Sequence, residues 1–169
     1  MAGFVSLTDV FVQITQGTVR DAEQANDLYR RWLDDIAPGA DGWLSLTAGV
    51  TEDDDIIAVT RFASELAARA NSQRSEQTRW WDELNQQLVT PLVIHHCMAV
   101  ATFGESRPDN PGFVQVVQGT TPGLSEVMER VAETEQHNIY EHYLDVIGGL
   151  IADHGDGGFS ELIFYPSDE

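Results

Sequence analysis

The sequence predicts an α+β fold made of one structural unit that occurs twice. A strand-like segment, Phe11–Thr18 (FVQITQGT), recurs as Phe113–Thr120 (FVQVVQGT), and the two copies differ only at their fourth and fifth residues. Each copy is followed by a helical pattern and then by two strand-like runs. A repeat that contains several secondary-structure elements indicates duplication of a whole unit.

Both predicted helices carry apolar residues at helical spacing. In the first helix, residues 21–36, this stripe comprises Ala25, Leu28, Tyr29, Trp32 and Ile36. The second helix begins at Thr121, an N-cap residue, with Pro122 in the first helical position. Its stripe comprises Leu124, Val127, Met128, Val131 and Ile139. The two stripes predict amphipathic helices that pack on a sheet.

Two strand-like runs follow each helix. In the first copy, residues 42–48 and 56–62 flank an acidic turn, and in the second copy residues 146–152 and 159–165 flank a glycine-rich turn. Loops of this composition between apolar runs are typical of antiparallel hairpins.

The first half continues beyond its hairpin. Ser64 and Ser75 are the predicted N-caps of two further helices, Pro91 ends the second of these, and residues 92–100 form a predicted fourth strand. The order βαββαβ is that of a ferredoxin-like unit. The second half ends after its third strand and is predicted to be a truncated βαββ unit.

These elements predict the domain organisation. We expect the first unit at residues 1–103, a linker at 104–112, and the truncated second unit at 113–169, sharing one core with the first. An open sheet with helices on one face leaves its other face uncovered. The two sheets are therefore expected to cover each other as an intramolecular pseudo-dimer with an interior between them.

Composition limits the function classes. Asp and Glu number 28 against nine Arg and Lys, which gives a net charge of −19. Such a charge repels phosphate backbones and anionic membranes, so neither nucleic acid nor membrane is an expected partner. Cys97 is the only cysteine, and no run is long and apolar enough for a membrane helix. Because a signal peptide is not evident either, we expect a cytoplasmic protein.

Three segments carry a resemblance to a known family. They are the Phe-Val-Gln strand, residues 61–72 (RFASELAARANS) and residues 76–81 (EQTRWW). Together they resemble the antibiotic-biosynthesis-monooxygenase-like proteins of the dimeric α+β barrel superfamily, and more closely an actinobacterial branch with two fused units. The resemblance implies a dimeric-α+β-barrel-like pseudo-dimer. It leaves several activities open, because the superfamily includes cofactor-free oxygenases of aromatic polyketides, haem-degrading enzymes, muconolactone isomerases and stress-response proteins.

The haem-degrading members of that superfamily are recognised by an Asn on the first strand and a Trp and a His around the second helix. Here Gln16 stands near the Asn position, and Trp80 or Trp81 stands near the His position. The helix itself has no His. Haem chemistry is therefore not expected, and we predict a protein without a cofactor.

Side chains that alternate along the repeated strand are candidate ligand contacts. Val12 and Ile14 are predicted to pack beneath the helices. The opposite faces, with Phe11, Gln13, Phe113 and Gln115, would then line the interior between the sheets. The two Gln amides would orient a ligand carbonyl or hydroxyl, or would bond to each other or to water.

His95 and His96 are candidate catalytic residues on the predicted fourth strand. Adjacent strand residues point to opposite sides, so the pair does not chelate one metal, and no metal site is expected. The sequence does not decide which of them faces the interior. That imidazole would be a general base, or else a hydrogen-bonded structural residue.

Trp80 and Arg61 complete the candidate ligand-binding residues. Trp80 would line a pocket or would be a buried anchor of its helix. Arg61, expected on the same strand face as Ile57 and Val59, would bind an anionic ligand or would pair with an acidic residue.

We expect from these observations a protein that binds a small aromatic or apolar compound between the two sheets. An enzymatic activity would be that of a cofactor-free monooxygenase or isomerase. The alternative is a non-catalytic binding or stress-related protein whose interior is filled by side chains. Either protein would be a monomer or a homodimer.

Overall fold

The computed structural model describes residues 6–105, 111–120, 123, 126 and 146–166. In these residues the strands are β1 (Ser6–Thr8), β2 (Phe11–Thr18), β3 (Trp43–Val50), β4 (Asp55–Phe62), β5 (Val93–Cys97), β6 (Ala99–Gly104), β7 (Phe113–Thr120), β8 (Gly148–Asp153) and β9 (Gly158–Tyr165). The α-helices are α1 (Ala22–Arg31), α2 (Glu65–Ser72) and α3 (Ser75–Gln87). The helix predicted from Thr121 to Ile139 lies outside the described residues.

The chain forms two compact units. Val10–His96 is one unit, and the described residues before and after it form the other. The sheet of the first unit has the order β3-β4-β2-β5, with the α-helices following β2 and β4 along the chain. This is the predicted ferredoxin-like βαββαβ arrangement, and the α+β class is confirmed.

The second unit repeats the strand pairing of the first. Its sheet has the order β1-β6-β8-β9-β7. β7 pairs antiparallel with β9 from Phe113↔Tyr165 to Thr120↔Gly158, as β2 pairs with β4 from Phe11↔Phe62 to Thr18↔Asp55. The duplicated sequence therefore has a duplicated register.

The apolar run at residues 92–100 is not one strand. β5 joins the first sheet, whereas β6 joins the second and pairs with β8 through Ala101↔Ile151. The chain leaves one unit after His96, at a point without Gly or Pro, so the sequence contains no signal for the change of sheet. The unit boundary thus differs from the expected one at residue 103, and the first described residues, with β1, belong to the second unit.

Local sequence signals account for the N-termini of two of the three α-helices in the described residues. The Asp21 carboxylate accepts a hydrogen bond from the backbone N–H of Gln24, and the Ser64 hydroxyl accepts one from that of Ala67. Each bond satisfies an N–H that has no partner inside its helix. The cap predicted at Ser75 is absent: α3 follows Arg74 without a side-chain cap. In the described part of the chain, no helix is long and apolar enough to cross a membrane.

The core of the first unit lies between its sheet and its helices. The predicted apolar stripe of α1 and of the π-helical turn after it is buried there, and it packs against Ile56 and Ala58 of β4 and Trp80 and Leu84 of α3. Burial of such side chains contributes about 1.5–3 kcal/mol each. This packing fixes which side of the sheet faces the helices.

Candidate functional site

Gln13 and Thr15 of β2 point toward the helices. Gln13 lies opposite Thr60 and Thr15 opposite Ala58 on β4, and Ala58 belongs to the core shared with α1 and α3. Residues directly opposite on neighbouring strands point to the same face of a sheet. The helix-facing side of β2 therefore carries the polar side chains Gln13 and Thr15.

The prediction that Val12 and Ile14 pack beneath the helices is wrong. Val12 lies opposite Arg61 and Ile14 opposite Val59, on the reverse face of the sheet, and both are fully buried there. The expected position of Gln13 in an interior between the sheets is corrected in the same way. Since both faces of β2 are buried, the alternation of apolar and polar residues did not indicate which face the helices cover.

A pocket lies between this face of the sheet and the helices of the first unit. Five of its lining residues are aromatic: Tyr29, Trp32, Phe62, Trp80 and Trp81. The other residues that line it are polar or aliphatic: Gln13, Thr15, Leu46, Ala58, Thr60, Ala68, Asn71, Ser72 and Gln77. Among the described residues that line it, none carries a charge. The pocket therefore favours a neutral, ring-containing ligand.

The pocket is narrow. Its cavity measures about 40 Å³, within a recess of about 460 Å³ that includes open solvent. A single water molecule needs roughly 10–15 Å³ when volume is measured as for the smaller of these two values. The cavity therefore holds only a few water molecules. A ring compound enters only when partly exposed side chains of the wall, such as Trp81 or Gln13, move aside.

A buried hydrogen-bond network forms one end of the pocket wall. Gln77 Oε1 accepts from Trp32 Nε1 and from Asn71 Nδ2, both at 2.8 Å. Arg74 Nη1 donates to Asn71 Oδ1 at 3.0 Å and to the carbonyl oxygen of Ile36 at 2.9 Å. Asn71 and Gln77 are buried, so these bonds hold α2, α3 and the turn after α1 in fixed positions.

Tyr29 is the exception among the buried polar groups of the wall. Its hydroxyl is inaccessible to solvent and has no hydrogen-bond partner in the described part of the chain. Burial raises the pKa of Tyr29 above its ordinary value, so the phenol stays protonated at neutral pH. A buried donor without a partner destabilises a protein by about 1–3 kcal/mol.

The sequence left two roles open for Trp80, a buried anchor of its helix or part of a pocket wall. In the structure Trp80 is buried and also lines the pocket. Its Nε1 donates to the carbonyl oxygen of Leu28 at 2.8 Å. Its ring makes edge contacts with Tyr29, at 5.0 Å between centroids, and with Trp81, at 4.9 Å. The three rings form a continuous aromatic wall.

His96 lies beside Gln13. The Gln13 amide nitrogen lies 3.2 Å from His96 Nε2, within hydrogen-bond distance. The ring of His96 stands 5.6 Å from that of Phe11, which is 4% exposed. His96 is therefore on the helix-facing side of β5, at the margin of the pocket and in contact with one of its lining residues.

His95 and Arg61 lie on the reverse side of the first sheet. His95 precedes His96 on β5 and points the opposite way, as adjacent strand residues do. Arg61 shares its face with Ile57 and Val59, as predicted, and is 4% exposed. Neither residue lines the pocket.

Gln115 and Phe113 belong to the second unit. The Tyr165 hydroxyl donates to Gln115 Oε1 at 3.1 Å, and its ring lies 6.0 Å from that of Phe113. Phe113 is 44% exposed, whereas its counterpart Phe11 is 4% exposed. The two copies of the strand thus have equivalent registers but different surroundings.

Two titratable groups of the second unit have raised pKa values: Cys97, which is buried, and Glu161, which is partly buried. Burial raises the pKa of the Cys97 thiol to about 12, with a further contribution from the negative charges of Asp153 and Asp156. Burial also raises the pKa of Glu161, which lies opposite Ile151 on β8. Glu161 occupies the position that Ala58 has in the first copy.

Sequence reasoning missed Tyr29, Asn71 and Gln77 as pocket residues. The sequence places Tyr29 only in an apolar helix stripe, and Asn71 only in the segment 61–72 that carries the family resemblance. The signal for Gln77 was its spacing on α3, three residues before Trp80 and seven before Leu84, which places it on the buried side of the helix.

Solved structures show which fold this is. A protein from Lactobacillus acidophilus described as a "putative monooxygenase" is similar with a TM-score of 0.71 and 13% identity, over 95% of this chain and 79% of that chain. One from Fusobacterium nucleatum with the same description has a TM-score of 0.72 and 10% identity, over 95% and 77%. SnoaB, a cofactor-independent oxygenase from Streptomyces nogalater, matches 52% of this chain and 91% of its own at a TM-score of 0.46 and 13% identity.

No protein-family model matches the sequence, and no curated protein matches it. The structural similarity extends over nearly the whole chain. Fold and pocket together thus define an α+β protein of tandem ferredoxin-like units with an uncharged aromatic pocket. Its fold is similar to that of the first two of these solved structures.

Proposed function

We propose that this protein binds a small aromatic or other apolar compound in the pocket of the Val10–His96 unit and oxidises it with dioxygen, without a cofactor. The observation that carries the proposal is the chemistry of the pocket wall. In a chain with a net charge of −19, the pocket presents aromatic rings and uncharged amide and hydroxyl groups. Such a wall binds a neutral ring and orients its oxygen atoms.

His96 is the general base in this proposal. The imidazole takes a proton at Nε2 from an activated phenol or enol, and the Gln13 amide exchanges its contact with Nε2 for a hydrogen bond to the oxygen that becomes negative. The anion transfers one electron to dioxygen, and the radical and superoxide combine into a C–O bond. The imidazolium returns its proton to the peroxide, and loss of water leaves a carbonyl group. With protonation at a different carbon instead, the same abstraction serves an isomerase.

Oxygen consumption tests the role of His96. Anthrone, an aromatic ketone that enolises readily, is the probe, and the His96→Ala variant is compared with His95→Ala. We expect His96→Ala to lower the enzyme-dependent rate by about 10²–10⁴-fold, the usual contribution of a general base. His95→Ala, a matched change on the opposite face of the same strand, should leave the rate within about twofold. Full activity in His96→Ala would contradict the assignment.

A non-catalytic binding or stress-related protein is the second candidate, and the small cavity of about 40 Å³ favours the filled interior that this candidate implies. Native mass spectrometry of the purified protein distinguishes the two. A co-purified compound of defined mass, without oxygen consumption on any added ring compound, supports the binding protein. Failure to bind any ring compound would contradict both functions.

A further inference from the structure

We propose that the Tyr29 hydroxyl donates a hydrogen bond to the ligand and makes the pocket prefer neutral ring compounds with an oxygen acceptor over hydrocarbons of the same shape. This inference rests on the proposed function, because it requires that the pocket accept a small ring compound. It adds a specificity-determining residue on α1, an element from which the sequence predicted no site residue.

The first argument is the hydrogen-bond inventory of the wall. Trp80 Nε1 bonds to the carbonyl oxygen of Leu28, and Trp32 Nε1 bonds to Gln77 Oε1. The Tyr29 hydroxyl has no partner among the described residues, and it shares their burial. Buried polar groups in folded proteins are almost always paired, so the partner of this hydroxyl is supplied by water or by a ligand in the pocket. Trp43 Nε1 is the other buried group without a partner among the described residues, but Trp43 does not line the pocket.

The second argument is the rigidity of the donor. Tyr29 is on the buried face of α1, and its ring is held at 77° to that of Trp80 with 5.0 Å between centroids. A donor on a helix, with its ring fixed by a neighbouring ring, needs little ordering when a ligand arrives. Because burial raises its pKa, the group remains a donor over the whole neutral pH range.

The third argument is the absence of charge from the pocket lining in the described residues. An ionised ligand would lose its hydration without gaining a counter-charge, so a neutral ligand is favoured. A site that hydrogen-bonds an oxygen of its ligand rejects the analogue without that oxygen, because the buried donor is then left unpaired. Tyr29 is thus a residue that sets the ligand preference of the pocket.

The test compares two probes of one skeleton, 1-tetralone and tetralin, which differ by a carbonyl oxygen. Calorimetric titration of the wild type should show tighter binding of 1-tetralone. In Tyr29→Phe, we expect the affinity for 1-tetralone to fall about tenfold, equivalent to 1.4 kcal/mol. The affinity for tetralin should not change. Tyr165→Phe, a matched substitution in the second unit, should leave both affinities unchanged.

The outcomes separate this inference from the proposed function. An unchanged preference for 1-tetralone in Tyr29→Phe would overturn the role of the hydroxyl, although the pocket would still bind rings. An equal loss of affinity for both probes would also overturn it, because a structural effect does not distinguish the probes. If neither probe binds the wild type, the proposed function itself fails, and the inference fails with it.

Discussion

Tyr29→Phe should make the ligand-free protein more stable. The substitution removes the one unpaired hydroxyl in the described pocket wall and leaves the ring that packs against Trp80. Removing a buried unsatisfied group recovers up to its desolvation penalty of about 1–3 kcal/mol. The small void left by the oxygen offsets part of this gain. We therefore expect a net increase of about 1 kcal/mol in the free energy of unfolding.

For a chain of this size, 1 kcal/mol shifts the melting temperature by roughly 2–4 °C. Thermal unfolding followed by circular dichroism, with urea unfolding as a second measurement, detects such a change. The matched control is Tyr165→Phe, which removes a hydroxyl that does have a partner, Gln115. That variant should be unchanged or less stable by up to about 1.5 kcal/mol.

A loss of stability in Tyr29→Phe comparable to that in Tyr165→Phe would refute the reasoning. It would mean that the Tyr29 hydroxyl is hydrogen-bonded in solution, to water held in the pocket, and gains nothing by removal. A stability gain combined with a loss of ligand preference would show instead that the hydroxyl serves binding at the expense of folding, as groups in functional sites often do.

Two further substitutions and one labelling experiment test the remaining features. Gln77→Leu leaves two buried N–H donors unpaired and should lower the free energy of unfolding by about 2–4 kcal/mol, whereas Gln86→Leu on the exposed side of the same helix should change it little. Glu161→Gln should raise the melting temperature at pH 7 and lose this effect near pH 4, because burial raises the pKa of Glu161 and penalises the ionised form. The control is Glu52→Gln, which removes the same negative charge from an exposed position. Because burial raises the pKa of the Cys97 thiol, this residue should resist thiol reagents at pH 8 in the folded protein. Above pH 9 the thiol ionises in the unfolded chain before it does so in the folded one, so the free energy of unfolding should fall by up to about 1.4 kcal/mol per pH unit. Fast labelling of the folded protein at pH 8 would contradict this.

The element order was predictable from local signals. The repeated FVQ strand, the apolar stripe of α1 and the cap at Ser64 depend on neighbours within a few residues, and the structure confirms each of them. Whether β5 and β6 form one strand depends on pairing with distant strands. Residues 92–100 contain neither Gly nor Pro, and only the pairing of β6 with β8 divides the segment into two strands.

The candidate site was predictable in composition but not in arrangement. Gln13, His96 and Trp80 were selected from the sequence, and the structure places them at or beside one pocket. Arg61 and His95 were selected on equal grounds but lie on the reverse face of the sheet. The alternation of side chains along a strand divides its residues between two faces, but it does not indicate which face the helices cover.

The sequence by itself determined that this protein consists of a duplicated ferredoxin-like unit, because repeats, caps and amphipathic stripes act over short distances along the chain. Only the tertiary structure decided that the pocket lies beneath the helices and that the Tyr29 hydroxyl lacks a partner there. Both faces of β2 are buried, so hydrophobicity gave equal support to two opposite orientations. The choice between them was made by the packing of α1 and α3 on Ala58, a contact between residues that are far apart in the chain.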